Sequence, residues 1–405
     1  MSHSRDVLVF SKRFVGGVRT LATMLRELDL RPVLVSADPE DINRDACDVH
    51  LVVDWDGGEL GDLVRAADEA GVRPTAVVNL VDPLIGWQIR TAHHYGLPGG
   101  EPNREVLLSK TRVREEMTRL GLSTLPFAGG PVAKFDVAAV AEYPVIVKPA
   151  RDSGGSRLVR RADGPEQLAE HLREIAEKTS PDLEVIVERH IDGTEFSVDG
   201  PLLETGFRGL FSVEKSQHDE LRHHDAGLRI SPPPSAHVRR GAEQLTADIS
   251  ALCAGLGIVG GWLHVEGRVT ADGRAELVEI NPRPGGGLYR PATLRTCGID
   301  SVQASVQMSL GGAAAEELAV ATRNDELLAL LPFEIDQVGR VARATPLDEL
   351  KAIPGVVDGY QFDGMEVQTL DQENFFTEAL ITAETVEGLI EVADRVRAAF
   401  HYEMA

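Results

Sequence analysis

The sequence predicts an α/β protein of two or three domains that opens on a parallel sheet. Three observations predict it. The chain has 405 residues, more than one hydrophobic core accommodates, since single cores stop growing at roughly 250–300 residues. Strand-like and helix-like runs alternate through the first hundred residues, the pattern of a parallel sheet with helices on its faces. From about Gly99 the turn-rich stretch GLPGGEPN breaks that alternation, and a strand-dominated segment follows.

Each element has its own signal. VLVF (7–10) reads as a buried strand, and a Gly16-Gly17 turn leads into an amphipathic helix through LATMLREL. RPVLVS (31–36) and HLVVDW (50–55) are strands. ELGDLVRAADEAG is a helix that stops on Gly71, a favoured C-terminal residue because glycine tolerates left-handed backbone. TAVVNLV (75–81) is the next strand. A parallel sheet of this kind places ligands at the carboxyl ends of its strands. Gly16-Gly17 is not the G-x-G-x-x-G dinucleotide fingerprint, so NAD is not expected. Further on, a helix over NREVLLSKTRVREEMTRLG carries Lys110, and the strand YPVIVKP carries Lys148 ahead of the loop RDSGGS. LEVIVER (183–189), TEFSVDG (194–200) and RGLFSVEKS are strands, followed by a polar loop from Gln217 to Pro234 and a helix over 238–256. WLHVEGRVT and RAELVEIN flank Asp272-Gly273, a hairpin turn signal. After an alanine-rich segment beyond 312, GRVARATP, GVVDGYQFDG and ALITAET read as strands, and VEGLIEVADRVRAAF has helical periodicity.

Composition narrows the function classes. The net charge of −23 argues against a nucleic-acid partner, which normally requires a basic face. No apolar run approaches the ~20 residues of a membrane span. The apolar run at 7–10 is closed at once by Lys12 and Arg13, which marks a strand rather than a signal peptide. The cytoplasm is therefore the expected location. Cys47, Cys253 and Cys297 are far apart, lack metal-ligand spacing and are expected to be reduced thiols. Only seven of the 41 basic residues are lysines: Lys12, Lys110, Lys134, Lys148, Lys178, Lys215 and Lys351. Lysine is a compact charge on a thin stem, suited to reaching a phosphate in a narrow pocket. Lys12, Lys134, Lys178 and Lys351 read best as surface residues.

The strongest constellation for chemistry is Glu266, Glu279 and Asn281. Residues 279 and 281 lie on one face of a strand, because side chains alternate. The Asp272-Gly273 turn folds Glu266 toward that face. Two carboxylates and an amide oxygen form a hard-oxygen set that suits magnesium, which keeps waters and phosphate oxygens as its other ligands. The apolar neighbours Leu277, Val278 and Ile280 argue against a merely solvated face. Arg283 follows in NPRPGGG, where a guanidinium fork can clamp a carboxylate or a transferring phosphoryl group. Gly285, Gly286 and Gly287 let backbone approach a ligand closely. The loop Ser153-Gly154-Gly155-Ser156 frees successive amides to face phosphate oxygens, with Lys148 on the strand before it. It is not a Walker loop.

In this order the motifs LLSKTRVREEM, VIVKPARDSGGS, VIVERHIDGTEFSVDG, HVEGRV and VEINPRPGGG resemble the ATP-grasp superfamily, collinearly from about Gly96 to Gly311. Five motifs in sequence are far more specific than any one. The chain looks most similar to the L-amino-acid ligases within that superfamily. The resemblance implies a Rossmann-like pre-ATP-grasp domain at 1–100, a two-lobed α+β ATP-grasp domain at 101–312 with a small lid lobe at about 125–192, and a small C-terminal α+β domain at 313–405. It implies that Lys110 and Lys148 are the nucleotide lysines, that Ser153 to Ser156 close over the phosphates, and that Glu188, Arg189, His190 and Ile191 form the hinge whose backbone reads adenine. Glu195 would accept the ribose hydroxyls. Glu266, Glu279 and Asn281 would hold one or two magnesium ions, for which manganese could substitute. Lys148 and Arg283 would be the catalytic cations, with Arg283 steadying an acyl-phosphate. The amino-acid pocket would include Asp225, Arg283, Gly286 and Gly287. The family places a histidine before the proline turn of that pocket, and here Leu228 or Arg229 stands near its position. His218, His223 and His224 crowd the same loop with Asp219 and Asp225, and a solvated loop is the expected reading over a second metal site.

The implied activity is an ATP- and magnesium-dependent joining of a carboxylate to an amine through an acyl-phosphate, with small-molecule substrates and, as in many relatives, a homodimer. Two rivals share the motifs: a carboxylase of the biotin-carboxylase type, which activates bicarbonate, and a nucleotide-binding scaffold without turnover. A purine-pathway ligase is a weaker third. No Ser-His-Asp or Cys-His set is evident, as expected if no protein nucleophile is needed.

Overall fold

The computed structural model describes residues 5–12, 17–151, 154–216, 227–312, 324, 326–362 and 364–405. Ser153, Asp225 and the histidines at 218, 223 and 224 lie outside the described residues. Among those described, no helix is long and apolar enough to cross a membrane.

The alternation at the start of the chain yields a parallel sheet of β1 (Arg5–Phe10), β2 (Leu30–Ser36), β3 (Val49–Val52) and β4 (Pro74–Val78), in the order β3-β2-β1-β4. Its strands are apolar on both sides because helices cover both faces. Leu8, Phe10, Val33 and Val35 pack toward α2 (Leu60–Glu69) and α3 (Ile85–Tyr95), where Leu63 and Trp87 meet them. Val7, Val9 and Leu34 pack toward α1 (Val18–Glu27) through Leu21 and Leu25, together with Val302 and Val306 from later in the chain. The sheet is thereby docked onto the rest of the molecule. Asp82 lies just beyond the carboxyl end of β4.

The helix expected over 103–121 begins only at Lys110. Pro102–Leu108 is a 3-10 turn, and Ser109 breaks the run with extended backbone (φ −124°, ψ 111°). Its hydroxyl accepts from Arg112 N at 3.4 Å as the N-cap of α4 (Lys110–Arg119). A cap of this type satisfies an amide that has no partner inside the helix.

A small antiparallel sheet follows, from β5 (Phe127–Pro131), β6 (Val145–Pro149), β7 (Arg160–Ala162) and β8 (Glu184–Arg189), in the order β5-β8-β6-β7. α5 (Pro165–Lys178) covers it with Leu168, Leu172 and Ile175.

The large sheet contains β9 (Gly193–Leu203), β10 (Gly206–Phe207), β11 (Phe211–Lys215), β12 (Arg229–Ser231), β13 (Trp262–Thr270) and β14 (Ala275–Asn281). α6 (Ala236–Leu256) packs Leu245, Ile249 and Leu252 beneath it, and α7 (Tyr289–Cys297) and α8 (Ser301–Ser309) follow. The same sheet then continues into the C-terminal segment. β15 (Leu328–Glu334), β17 (Val356–Gln361) and β19 (Phe375–Thr382) complete the order β14-β13-β9-β11-β12-β15-β19-β17, with β10 beside β9. The strand LALLPFE escapes the sequence reading because six of its seven residues are buried, so no alternation marks it. β16 (Gly339–Ala344), β18 (Glu366–Val367) and β20 (Tyr402–Met404) form a minor sheet, while α9 (Leu347–Lys351) buries Leu350 against the large one. α10 (Val386–Ala399) buries Leu389, Val392 and Val396 against β15 and β19.

The β13–β14 hairpin positions the chemistry. Gly267 pairs with Leu277, but the next pair is Glu266 with Glu279, so Val278 is an extra residue at a β-bulge. The bulge sets Glu266 directly across from Glu279, and His264 across from Asn281. Gly267 stands beside it because a Cβ there would lie 2.6 Å from Leu245 Cδ2 and 3.0 Å from Phe196 Cζ. We expect Gly267→Ala to cost about 1–3 kcal/mol through overpacking, read as a lower midpoint in urea unfolding.

Candidate active site

A cavity of about 540 Å³ lies between the small sheet and the hairpin face of the large one. It falls in the size range of small-molecule pockets. Every described residue that the sequence singled out as nucleotide-, metal- or substrate-binding lines it: Lys110, Lys148, Gly154, Gly155, Ser156, Glu188 to Ile191, Glu195, Glu266, Glu279, Asn281, Arg283, Gly286 and Gly287.

At its inner wall, Lys148 Nζ sits 2.6 Å from Glu188 Oε1 and donates to Val278 O at 3.2 Å, the carbonyl of the bulge residue. Arg114 reaches the other oxygen of Glu188 at 2.9 Å and donates to Leu277 O at 2.6 Å. Burial would raise the Glu188 carboxyl, but Lys148 and Arg114 outweigh it and hold the group below the ordinary range. The backbone of the adjoining hinge is largely engaged. Arg189 N donates to Pro126 O, His190 N to Pro144 O, and Ile191 O accepts from Arg268 at 3.0 Å.

A second layer of charge alternates across β9, β11 and β13. Lys215 Nζ lies 2.6 Å from Glu195 Oε1 and 2.9 Å from Glu266 Oε1, and Arg268 Nε lies 2.9 Å from Glu195 Oε2. His264 Nδ1 meets Asp199 Oδ2 at 2.6 Å, and its Nε2 lies 3.5 Å from Glu266. Burial would lower the imidazole, yet Asp199 and Glu266 push it up to about 9. Burial likewise opposes ionisation of Glu266, but Lys215 and His264 hold its carboxyl well below the ordinary range. Asp199 also accepts from Gly285 N at 2.8 Å, which anchors the glycine-rich turn after the hairpin.

Across the bulge, Lys110 Nζ pairs with Glu279 Oε1 at 2.8 Å. Among the described residues no group of three or more His, Cys, Asp or Glu side chains is arranged as a metal cage. The set is two carboxylates and an amide oxygen, with lysine ammonium groups against the carboxylates. That donor set fits magnesium, which is bound through one or two carboxylates plus phosphate oxygens and water rather than by an all-protein cage.

At the outer end, Arg283 forms a bidentate pair with Asp82, Nη2 to Oδ2 at 2.5 Å and Nε to Oδ1, and its Nη1 donates to Pro284 O at 2.7 Å. Arg229 on β12 donates to Glu378 Oε1 on β19 at 3.1 Å and stacks over Phe375. Glu378 also accepts from Leu288 N at 3.0 Å, and its burial keeps its carboxyl above the ordinary range against the pull of Arg229. Gly287, at φ +55°, allows this approach: a Cβ there would fall 2.0 Å from Glu378 Oε2. The small sheet closes over the cavity through the C-terminal segment. Glu373 N donates to Gly155 O at 2.8 Å, Leu158 N to Asp371 O at 3.2 Å, and Arg160 and Lys178 pair with Asp371 at 2.6 and 2.7 Å.

Lys215, Arg268, Arg114, His264, Asp199, Asp82 and Glu378 did not emerge from the sequence as site residues. Lysine scarcity left Lys215 unexplained, and Asp82 stands where a parallel sheet presents ligands. Glu378 lies in a strand about 100 residues beyond the motifs and carried no signal.

Residues 141–292 match the ATP-grasp domain family. The chain carries an ATP-grasp domain. The full-length fold agrees with this. The structure of L-amino acid ligase from Bacillus licheniformis matches with a TM-score of 0.84 at 19% identity, covering 100% of both chains. Phosphoribosylglycinamide synthetase from Anaerococcus prevotii matches with a TM-score of 0.71 at 14% identity, covering 99% of this chain and 100% of that one. The biotin carboxylase domain of the Hydrogenobacter thermophilus 2-oxoglutarate carboxylase, solved with MgADP, ADP and bicarbonate, matches with a TM-score of 0.68 at 19% identity, covering 99% and 91%. In sequence, pyruvate carboxylase of Staphylococcus aureus is 24% identical over 382 residues, 88% of this chain and 32% of that protein. The chain thus spans about a third of the length of that curated relative. At these identities the solved structures establish the ATP-grasp fold and leave the substrates to the site.

The Arg114–Glu188–Lys148 cluster makes a testable demand of the ATP-grasp domain. Arg114→Leu leaves Glu188 buried beside one cation instead of two and deprives Leu277 O of its donor. We expect a cost of about 3–5 kcal/mol, measured by urea unfolding.

Proposed function

We propose that the protein is an ATP- and magnesium-dependent carboxylate-amine ligase acting on amino-acid-like substrates through an acyl-phosphate. The observation that carries this reading is the cavity in which Lys110, Lys148, Glu266, Glu279, Asn281 and Arg283 converge beneath a latched small lobe. The whole-chain likeness to an L-amino acid ligase supports the same reading.

In the proposed reaction a substrate carboxylate oxygen attacks the γ-phosphorus of ATP, releasing ADP and leaving an acyl-phosphate. An amine then attacks the acyl carbon, phosphate leaves, and the amine gives up a proton to solvent or phosphate. Lys110 and Lys148 bring fixed positive charge to the phosphates from a helix start and a strand. Glu266, Glu279 and Asn281 would hold magnesium, which would supply charge neutralisation for the phosphates. Arg283 steadies the anionic centre that forms at the acyl carbon or phosphorus. The contacts of Gly155 and Leu158 with residues 371 and 373 exclude water, which would otherwise hydrolyse the acyl-phosphate. Glu188 and Glu195 keep the buried lysines and arginines in place.

The test is phosphate release with ATP and magnesium across a matrix of amino-acid pairs, with bicarbonate alone as one condition. Release that requires both an amine and a carboxylate, with a condensed product by mass spectrometry, is expected. Release with bicarbonate alone would replace this reading by the carboxylase one. Glu279→Gln is expected to abolish turnover without changing the circular dichroism spectrum. Lys148→Ala is expected to raise the KM for ATP roughly 10–100-fold, the worth of a hydrogen bond to a charged group; an unchanged KM would remove Lys148 from the nucleotide site.

A further inference from the structure

One buried carboxylate stands just behind the hairpin wall of the cavity. Asp199 on β9 lies directly across from His264 on β13, and His264 lies across from Asn281 on β14. Glu266 follows two residues along β13, on the same face of the sheet because side chains alternate. His264 and Glu266 line the cavity, whereas Asp199, only 1% exposed, does not.

Asp199 is a fixed group. Its Oδ1 accepts from Gly285 N at 2.8 Å and from Trp262 Nε1 at 3.3 Å, and its Oδ2 meets His264 Nδ1 at 2.6 Å. The imidazole is fixed in turn. Its ring meets the Tyr289 ring edge-on with centroids 5.0 Å apart, and the Tyr289 hydroxyl shares a hydrogen bond of 2.9 Å with Ser197 Oγ. With Nδ1 anchored on Asp199, Nε2 lies on the Glu266 side, 3.5 Å from Oε1. Lys215 Nζ approaches the same oxygen at 2.9 Å. Both contacts fall on Oε1, and the Glu266 side chain keeps 21% of its surface exposed. A long carboxylate side chain that is already oriented loses less rotamer freedom when a cation arrives. Carboxylates that hold metals are typically oriented by outer hydrogen bonds of this kind.

We propose that Asp199 and His264 are positioning residues for the metal site: Asp199 holds the imidazole, and the imidazole steadies Glu266 so that its carboxylate is set before a divalent cation binds. The assignment rests on Glu266 being the magnesium ligand of the proposed ligase. Asp199 acts from behind the wall, and its effect reaches the cavity through His264. Metal affinity therefore depends on Asp199 and His264, while the affinity for the nucleotide without metal does not.

The test is a Mn2+ titration of the full chain, held in excess over ADP so that the nucleotide is bound, with free Mn2+ read by electron paramagnetic resonance. Metal-free ADP affinity is measured beside it by calorimetry in EDTA. His264→Asn places an amide where Nδ1 meets Asp199 but cannot reach Glu266. It is expected to weaken Mn2+ about 10–100-fold, the usual effect of losing an outer partner of a metal ligand, with metal-free ADP affinity unchanged. His264→Gln reaches toward Glu266 as Nε2 does and is expected to recover most of the loss. Asp199→Ser tests the anchor from the other side and stands in should His264→Asn fail to fold. It is expected to weaken Mn2+ in the same range and to add nothing when combined with His264→Asn, because the two act along one line. Mn2+ affinity unchanged in His264→Asn or Asp199→Ser overturns the proposal. So does an equal loss of metal-free ADP affinity, the mark of a general disturbance of the fold. Glu266→Gln separates the two levels. If it alone weakens Mn2+, the positioning role fails and the magnesium assignment stands; if it also binds Mn2+ like the wild type, the magnesium assignment itself fails and the positioning role with it.

Discussion

One buried carboxylate ties the two lobes together. Glu188 sits near the end of β8 in the small sheet, yet its oxygens are held by Lys148 on β6 and by Arg114 on α4. Both cations reach on to carbonyls of the large-sheet hairpin, at Leu277 and Val278. Those carbonyls are within reach because the bulge turns the backbone of β14 at that point. The cluster thus sets the distance between Lys148 and the carboxylates of the hairpin. A buried ion pair adds little to stability for its own sake, since desolvation offsets much of the attraction. Its value here is geometric.

The same logic extends along the cavity. Lys215 bridges Glu195 and Glu266, Lys110 faces Glu279, His264 faces Asp199, and Arg283 faces Asp82. Each of these cations is paired with a carboxylate. That arrangement compensates these buried charges within the protein.

The continuity of the large sheet has a functional consequence. β15 and β19 extend it beyond the hairpin motifs, and β19 delivers Glu378 to Arg229. The segment just before β19 supplies Asp371 and Glu373, which latch the small sheet. The last part of the chain is therefore both a wall of the cavity and the fastening of the small sheet over it. The N-terminal sheet contributes at the same end through Asp82, which pairs with Arg283.

Local patterning was enough for the parallel sheet, the hairpin and the principal candidate residues. Strand alternation, the Asp272-Gly273 turn and the glycine loop are short-range properties, and Glu266, Glu279, Asn281, Lys110, Lys148 and Arg283 sit on them. The sequence also carried the resemblance that ordered those motifs into an ATP-grasp domain. It did not show the strand LALLPFE, whose burial on both faces removes alternation, nor the start of the helix at Lys110, which depends on Ser109 leaving helical backbone. Above all it did not show which charges meet. Lys215, Arg268, Asp82, Arg229 and Glu378 acquire their roles from partners in other strands, and Asp82 and Arg283 are 201 residues apart. Electrostatic pairing depends on distance in space, and only the packing of the sheets decides that.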